Sequence, residues 1–249
     1  MKRLRRVTES EVIAEFLKNE FYQEEFHRDR HRYEHLVLDA DLTNDEDNVL
    51  RRVLLFRRRG HMWRELPTDT QWWEVELEPE DLALIRVFPR AHWRKIANGS
   101  FALNDIVHQI KSHRFSGRIG DFISKIQSLS YRLRYDNDCS SVILIGLDEE
   151  HPITIIEGNH RMTAGMLSSP ETIHKRFRVF LGMSARMSEV CWYNGTLGNI
   201  LRYLKNRLRH MWVDSDADLI RPKTDDDTAP ATAYAPKTVA ARKAMSEPK

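Results

Sequence analysis

The side chains best placed to do chemistry stand together at Glu157-Gly158-Asn159-His160-Arg161. Glu157 provides an acceptor for a metal ion, a hydroxyl or a ribose, which makes it a candidate catalytic group and Mg2+ ligand. Arg161 offers a planar fork of donors suited to phosphate, and His160 can stabilise charge on a transferred group. The surrounding stretch explains why they meet. A β-branched run, Ile153-Thr154-Ile155-Ile156, stops at Glu157-Gly158, and Met162, Met166 and Leu167 then recur at helical spacing. This predicts a strand followed by a helix that opens near Asn159 or His160. The first amides of a helix lack internal partners and carry partial positive charge, so such a turn attracts anions. Gly158 lets the backbone bend or approach a ligand. With Asn159, Arg161 and Thr163 it forms the primary set of candidate ligand contacts. Each residue alone also has an ordinary reading: a solvated turn acid, a surface histidine, an arginine paired with a nearby carboxylate.

A second candidate group follows the apolar segment Leu84-Ile85-Arg86-Val87-Phe88, which reads as a strand stopped by Pro89. His92, Trp93, Arg94 and Lys95 then fall at a strand end, where ligands of layered α/β folds bind. A purine could stack on Trp93 while Arg94 or Lys95 meets phosphate, or Trp93 could anchor a loop to the core.

Gly158-Asn159-His160-Arg161, after a strand and opening a helix, resembles the Gly-x-His-Arg turn of the ParB/sulfiredoxin-like superfamily, whose members bind nucleotide phosphates there. With Glu157 in front it is also similar to the Asp-Gly-x-His-Arg form of ParB-like kinases that phosphorylate free amino acids. The resemblance spans residues 80 to 185 and rests, outside the turn, on element order. It implies ATP or CTP as ligand, with Mg2+, and a phosphotransfer to a small molecule. Two departures stand in the sequence. Sulfiredoxins carry their reactive cysteine between the Gly and the His, where this chain has Asn159. The kinases use an acid just after the first strand, whereas Phe88 to Lys95 is basic and aromatic, which leaves the general base unassigned. His151-Pro152 with Glu157-Gly158-Asn159 and Arg161 also resembles the Fic adenylyl-transferase loop. There, however, the His lies four residues before the acid in a helical setting, and here it lies six before, across a strand-like segment.

The chain has 249 residues, 41% of them hydrophobic, enough for a real core. Its 39 basic and 37 acidic residues leave a net charge of +2, so bulk charge argues for neither nucleic acid nor membrane as partner. Cys139 and Cys191 have no paired spacing, which excludes a zinc ribbon or disulfide framework and fits a reducing cytoplasm. No apolar core of a secretory signal follows Met1 to Arg6, and no window is long enough to span a bilayer. The expectation is a cytoplasmic protein.

The elements expected around the candidate site make an α+β fold, a small mixed β-sheet flanked by helices, with a helical N-terminal extension. The extension covers 1–70, the core 71–213 and a disordered tail 222–249. Thr8 with Glu11, and Thr43 with Glu46, are capping-box patterns that open helices, the second ending at Arg57-Arg58-Arg59-Gly60. Trp72 to Leu77 alternates as a strand with Trp73, Val75 and Leu77 buried and an exposed acidic side. Leu103, Ile106, Val107 and Ile110 mark a helix, and Gly117 and Gly120 break it from another carrying Phe122, Ile126 and Leu133. Asp136-Asn137-Asp138 is a turn. Val142 to Leu147 reads as a strand buried on both faces that pairs with Ile153–Ile156 as a hairpin. Phe177 to Leu181 is a further strand, closed by Gly182. Leu197, Ile200, Leu201, Leu204, Leu208, Met211 and Trp212 trace one face of a long helix; Arg202, Lys205, Arg207 and Arg209 form its basic face.

Two other groups invite functional readings. His27, His31 and His35 would share one face of a continuous helix, as zinc-binding histidines do, although a solvated charged face explains them better. Arg57 to Arg59 and the basic side of the last helix could contact nucleic acid, making a non-enzymatic binding or regulatory module the alternative function. Helix-dipole compensation accounts for the three arginines more simply.

Overall fold

The strand β4, Ser140–Gly146, has no polar side: Val142, Ile143, Leu144 and Ile145 are all 0% exposed. A strand apolar on both sides needs cover on both sides, and the rest of the chain supplies it. The structure, a computed structural model, describes residues 1–89, 91–135 and 140–212. The turn expected at Asp136 to Asp138 and the tail from 222 lie outside the described residues.

Strands β1 (Lys2–Val7), β2 (Gln71–Glu76), β3 (Ile85–Arg86), β5 (Ile153–Glu157) and β6 (Phe177–Met183) join β4 in one sheet of order β1-β2-β6-β4-β5-β3. β4 runs parallel to β6, and β3 to β5; the other neighbours are antiparallel, including the expected β4–β5 pair. One face is covered by α5 (Leu103–Ser112), α6 (Gly117–Tyr135) and α7 (Asn159–Ser168), where Ile106, Ile126 and Met162 pack with Leu144, Ile155 and Leu181. The opposite face carries α1 (Glu9–Glu20) and α3 (Asp45–Trp63), whose Phe16, Leu17, Leu55 and Trp63 meet Ile143, Ile145 and Phe180. Shorter helices α2 (Arg30–Leu38), α4 (Ala91–Ile96) and α8 (Pro170–Arg176), and the terminal α9 (Leu197–Trp212), complete the described chain. This is the expected α+β arrangement of a mixed sheet between helices.

The differences from expectation have local causes. Segment 1–70 begins with a strand, β1, that no alternation announces. Its residues are exposed up to Val7, and edge pairing with β2 plus ion pairs from Lys2 to Glu76 and Arg3 to Glu149 hold it in place. Charges along such an edge also discourage further strand pairing. The second helix is capped by Asn44, which accepts from the amides of Glu46 and Asp47, while Thr43 bonds Asp41 instead. That helix does not stop at Gly60. Met62 and Trp63 are buried, with Trp63 stacked on Trp72 at 5.7 Å and edge-on to Phe16 at 5.8 Å, and this packing carries the helix through the glycine. β6 likewise continues through Gly182, where a side chain would collide with the Trp72 indole at 2.6 Å. Gly117 opens α6 and Gly120 lies inside it. Residues 24 to 35 are not one helix: Glu24–Asp29 is a 3-10 turn and α2 starts at Arg30, so His27, His31 and His35 do not share a helix face. Among the described residues no cluster of His, Cys, Asp or Glu is arranged to hold a metal ion. No helix among them is long and apolar enough to cross a membrane.

The acidic side of β2, expected to face solvent, is covered by α1. There Arg178 of β6 donates to Glu74 at 2.7 Å, Glu11 at 2.8 Å and Glu15 at 3.1 Å, and Arg5 also pairs with Glu11 and Glu74. The carboxylate of Glu11 is held below its ordinary pKa by hydrogen bonds from Arg5 and then Arg178, and that of Glu74 by Arg178 first. Depressed carboxylate pKa values give stability that is present above the unfolded carboxylate range and lost as pH falls through the folded values. Arg178→Met keeps an unbranched apolar stem but removes the charge and with it the guanidinium that lies 4.7 Å from the Phe180 ring. We expect it to cost about 2 kcal/mol at pH 7 in urea unfolding, with the deficit shrinking at pH values below about 4. An equal deficit at both pH values would contradict this account.

Candidate functional site

β5 ends inside the layered structure, and the chain must leave it without burying unpaired backbone. It does so through Gly158, the N-cap of α7, at φ 95 and ψ 18. This left-handed conformation disfavours residues with a Cβ. Space also favours glycine, because a side-chain carbon here would lie 3.0 Å from a Val142 methyl, tighter than an ordinary contact. The expected strand-to-helix turn is therefore present, with α7 opening at Asn159.

Two side-chain interactions lock the turn. The Asn159 Oδ1 accepts from the Phe88 amide at 2.7 Å, tying the loop after β3 to the start of α7. Arg161 forms an ion pair with Glu157 and donates to the Asn19 Oδ1 at 2.6 Å, while Asn19 in turn donates to the Ser141 Oγ at 2.9 Å. Glu157 ends β5 and Arg161 lies in the first turn of α7, so the bend at Gly158 brings them together, and their side chains are only 13% and 20% exposed. Opposite charges this well covered and in contact are expected to pair. The carboxylate expected to hold Mg2+ and the guanidinium expected to hold phosphate are thus engaged with each other.

A cavity of about 270 Å³ opens beside the turn, bounded by Glu157, Asn159 and His160 from the turn, His92 and Trp93 from α4, and Phe122 from α6. Segment 1–70 supplies the opposite wall with Phe16, Glu20, Gln23, Arg59 and Met62. Glu20 and Arg59 form an ion pair at 2.7 Å with both side chains largely covered. The aromatic wall is continuous: His92 stacks on Phe122 at 4.9 Å, His160 meets Phe122 at 5.0 Å, and Trp93 lies 5.1 Å from Phe122 and 5.6 Å from His160. These rings give the cavity an aromatic side, while the wall from segment 1–70 carries the Gln23 amide and the paired Glu20 and Arg59.

The two candidate groups read from the sequence therefore meet in part. His92 faces the same cavity as Glu157, Asn159 and His160. Arg94 instead donates to the Pro89 carbonyl at 2.9 Å, and both Arg94 and Lys95 are exposed and away from the cavity. Trp93 is 3% exposed and anchors α4 to the core. Thr163 is fully buried on the core side of α7, so it does not reach a ligand at the turn. His151 of the Fic-like pattern is exposed and pairs with Asp148 at 2.8 Å, outside the cavity. Of the arginine run, Arg59 turns inward to Glu20, and the side chains of Arg57 and Arg58 lie outside the described residues. Reasoning from sequence missed Asn19, Glu20 and Gln23, which no motif marks. A larger groove of about 620 Å³, lined by Arg6, Glu9, Arg52 and Arg64 beside Trp63, was also not foreseen. Comparison of the chain with protein-family models, with curated proteins and with solved structures gave no significant match.

Replacing Gly158 by Ala should destabilise the fold by about 1–3 kcal/mol in urea unfolding, the sum of the backbone conformation and the Val142 contact. Adding Val142→Ala removes the collision but creates its own cavity. The informative quantity is the coupling: the double variant should lose less than the sum of the two single losses. Strict additivity would show that the contact carries no energy.

Proposed function

We propose that the chain is a nucleotide-binding protein whose ligand sits in the cavity beside Gly158, in the manner the ParB/sulfiredoxin-like resemblance implies. The observation that carries this reading is the meeting of His92 with Glu157, Asn159 and His160 around one aromatic-walled cavity at the C-terminal end of β5. Its volume of about 270 Å³ lies at the low end for small-molecule sites, which suits a base or nucleoside with its phosphates toward the mouth. The base then stacks on the outer face of His92, whose inner face lies on Phe122, with Gln23 and Glu20 at its polar edge. His160 is exposed at the start of α7, where the helix end favours negative charge, and we assign it the contact with phosphate. Arg161 acts from behind by holding Glu157 in position.

The residues present do not form a protein-built Mg2+ site. Both carboxylates of the cavity wall are held by guanidinium groups, Glu20 by Arg59 and Glu157 by Arg161. A cation bound with the nucleotide's own phosphates is compatible with this wall. The resemblance adds transfer of a phosphoryl group to a small-molecule acceptor as the reaction.

Isothermal titration of ATP, CTP and GTP into the wild-type chain, His160→Ala and His92→Ala tests the reading. At least one nucleotide should bind wild type, and each variant should weaken it at least about tenfold without a matching change in urea midpoint. Arg161→Ala should instead lower the urea midpoint, because it strips the partner from a largely covered carboxylate. No binding of any of the three nucleotides to wild type would remove this function.

A further inference from the structure

Helix α9 is turned the opposite way from an ordinary amphipathic surface helix. Its polar residues face the body of the protein. The Asn199 amide donates to the carbonyls of Ser188 at 2.9 Å and Asn194 at 2.8 Å, and the residue is 8% exposed. Asn206 donates to Glu65, Arg202 pairs with Glu189 at 2.9 Å, and Tyr203 lies edge-on to Trp192 at 4.3 Å. Asn199, Arg202, Tyr203 and Asn206 recur at the three- and four-residue spacing of one helix face, so this face is fastened to the body.

The opposite face is apolar and open. Leu197 is 74% exposed, Leu201 58%, Leu204 45% and Leu208 59%, with Ile200 at 38% beside them. Leucines scattered singly on a surface are normal, but these are contiguous along one stripe. Their spacing is 4-3-4, the heptad seam by which one helix packs against another. The seam is narrow, because exposed Lys205 borders it on one side and exposed Arg207 on the other. The helix contains no acidic residue.

We propose that the outward face of α9 is a docking seam for an amphipathic helix of a partner protein, with leucine-type residues along its contact edge and Asp or Glu on both flanks. Charge selects the occupant. Packing α9 against α9 of a second copy would set Lys205 and Arg207 against like charges along both flanks, which disfavours self-association. An acid-flanked helix meets Lys205 and Arg207 with opposite charge and covers the leucines at once. The narrow two-column seam also fits a helix better than a bilayer, for which the apolar face of an interfacial helix is broader. This proposal rests on residues that do not line the cavity and stands whether or not a nucleotide binds.

The test uses the full chain and two designed peptides of about three heptads, both with leucine at the seam positions, one with Glu and one with Lys on the flanks. Fluorescence anisotropy should show binding of the Glu-flanked peptide that weakens with added NaCl, and at least about tenfold weaker binding of the Lys-flanked one. Leu201→Gln with Leu204→Gln should abolish binding while circular dichroism and the urea midpoint stay unchanged. Failure of the Glu-flanked peptide to bind, or equal binding of both peptides, would overturn the proposal. So would a concentration-dependent dimer in sedimentation that the double Gln variant dissolves, which would assign the seam to a second copy. Binding to phosphatidylserine vesicles that the same variant abolishes, without any peptide preference, would assign it to a membrane surface and equally overturn the proposal.

Discussion

A sheet that is apolar on both faces can place chemistry only at its strand ends. β4 sets this condition, since Val142 to Ile145 are sealed between two layers of helices. Neighbouring β5 inherits it with Ile153 and Ile155 fully buried, and its first partly exposed residue is Glu157. The turn that follows is then over-determined. Val142 crowds any side chain at Gly158, the left-handed backbone favours glycine there, and Asn159 anchors the neighbouring loop through the Phe88 amide. Sequence, backbone and packing thus agree on the conformation of the turn.

Arginine contacts fasten α1 at both ends, to the sheet at its start and to neighbouring helices at its end. Near its start, Glu11 and Glu15 bond Arg178 of β6; near its end, Asn19 bonds Arg161 of α7, and Glu20 bonds Arg59 of α3. The same contacts that fix α1 also consume the charges that a reading of the turn alone assigns to ligand. Arg161 therefore orients Glu157, and the cavity keeps an aromatic, histidine-bearing side facing Gln23 and the Glu20–Arg59 pair. This shifts the chemistry of the cavity from an anion clamp toward stacking, with His160 as the polar contact at its mouth.

The turn and the central strands were legible because their causes are local: β-branched runs, a glycine and helical periodicity lie within a few residues of each other. The same holds for Thr8 as the cap of α1, whose hydroxyl accepts from the Glu11 amide. What was not legible depended on distant partners. β1 carries no alternation and exists through pairing with β2 about seventy residues away. The fate of Arg161 turned on Asn19, 142 positions earlier. α3 passed its glycine because Trp63 stacks on Trp72, and the inverted seating of α9 followed from polar contacts to Glu65 and Ser188 that its own periodicity could not reveal. α8 was missed because it is a single short helix of 7 residues begun by Ser169 and Pro170.

The central claim is that a nucleotide occupies the cavity between the β5–α7 turn and α4. Amide chemical-shift mapping of the isotope-labelled chain during titration with ATP or CTP tests it most directly. The account predicts that the largest shifts fall on residues 157–161 and 92–96, with smaller ones near Glu20 and Gln23. Shifts concentrated instead along the groove of Arg6, Arg52 and Arg64, or absent throughout, would contradict it.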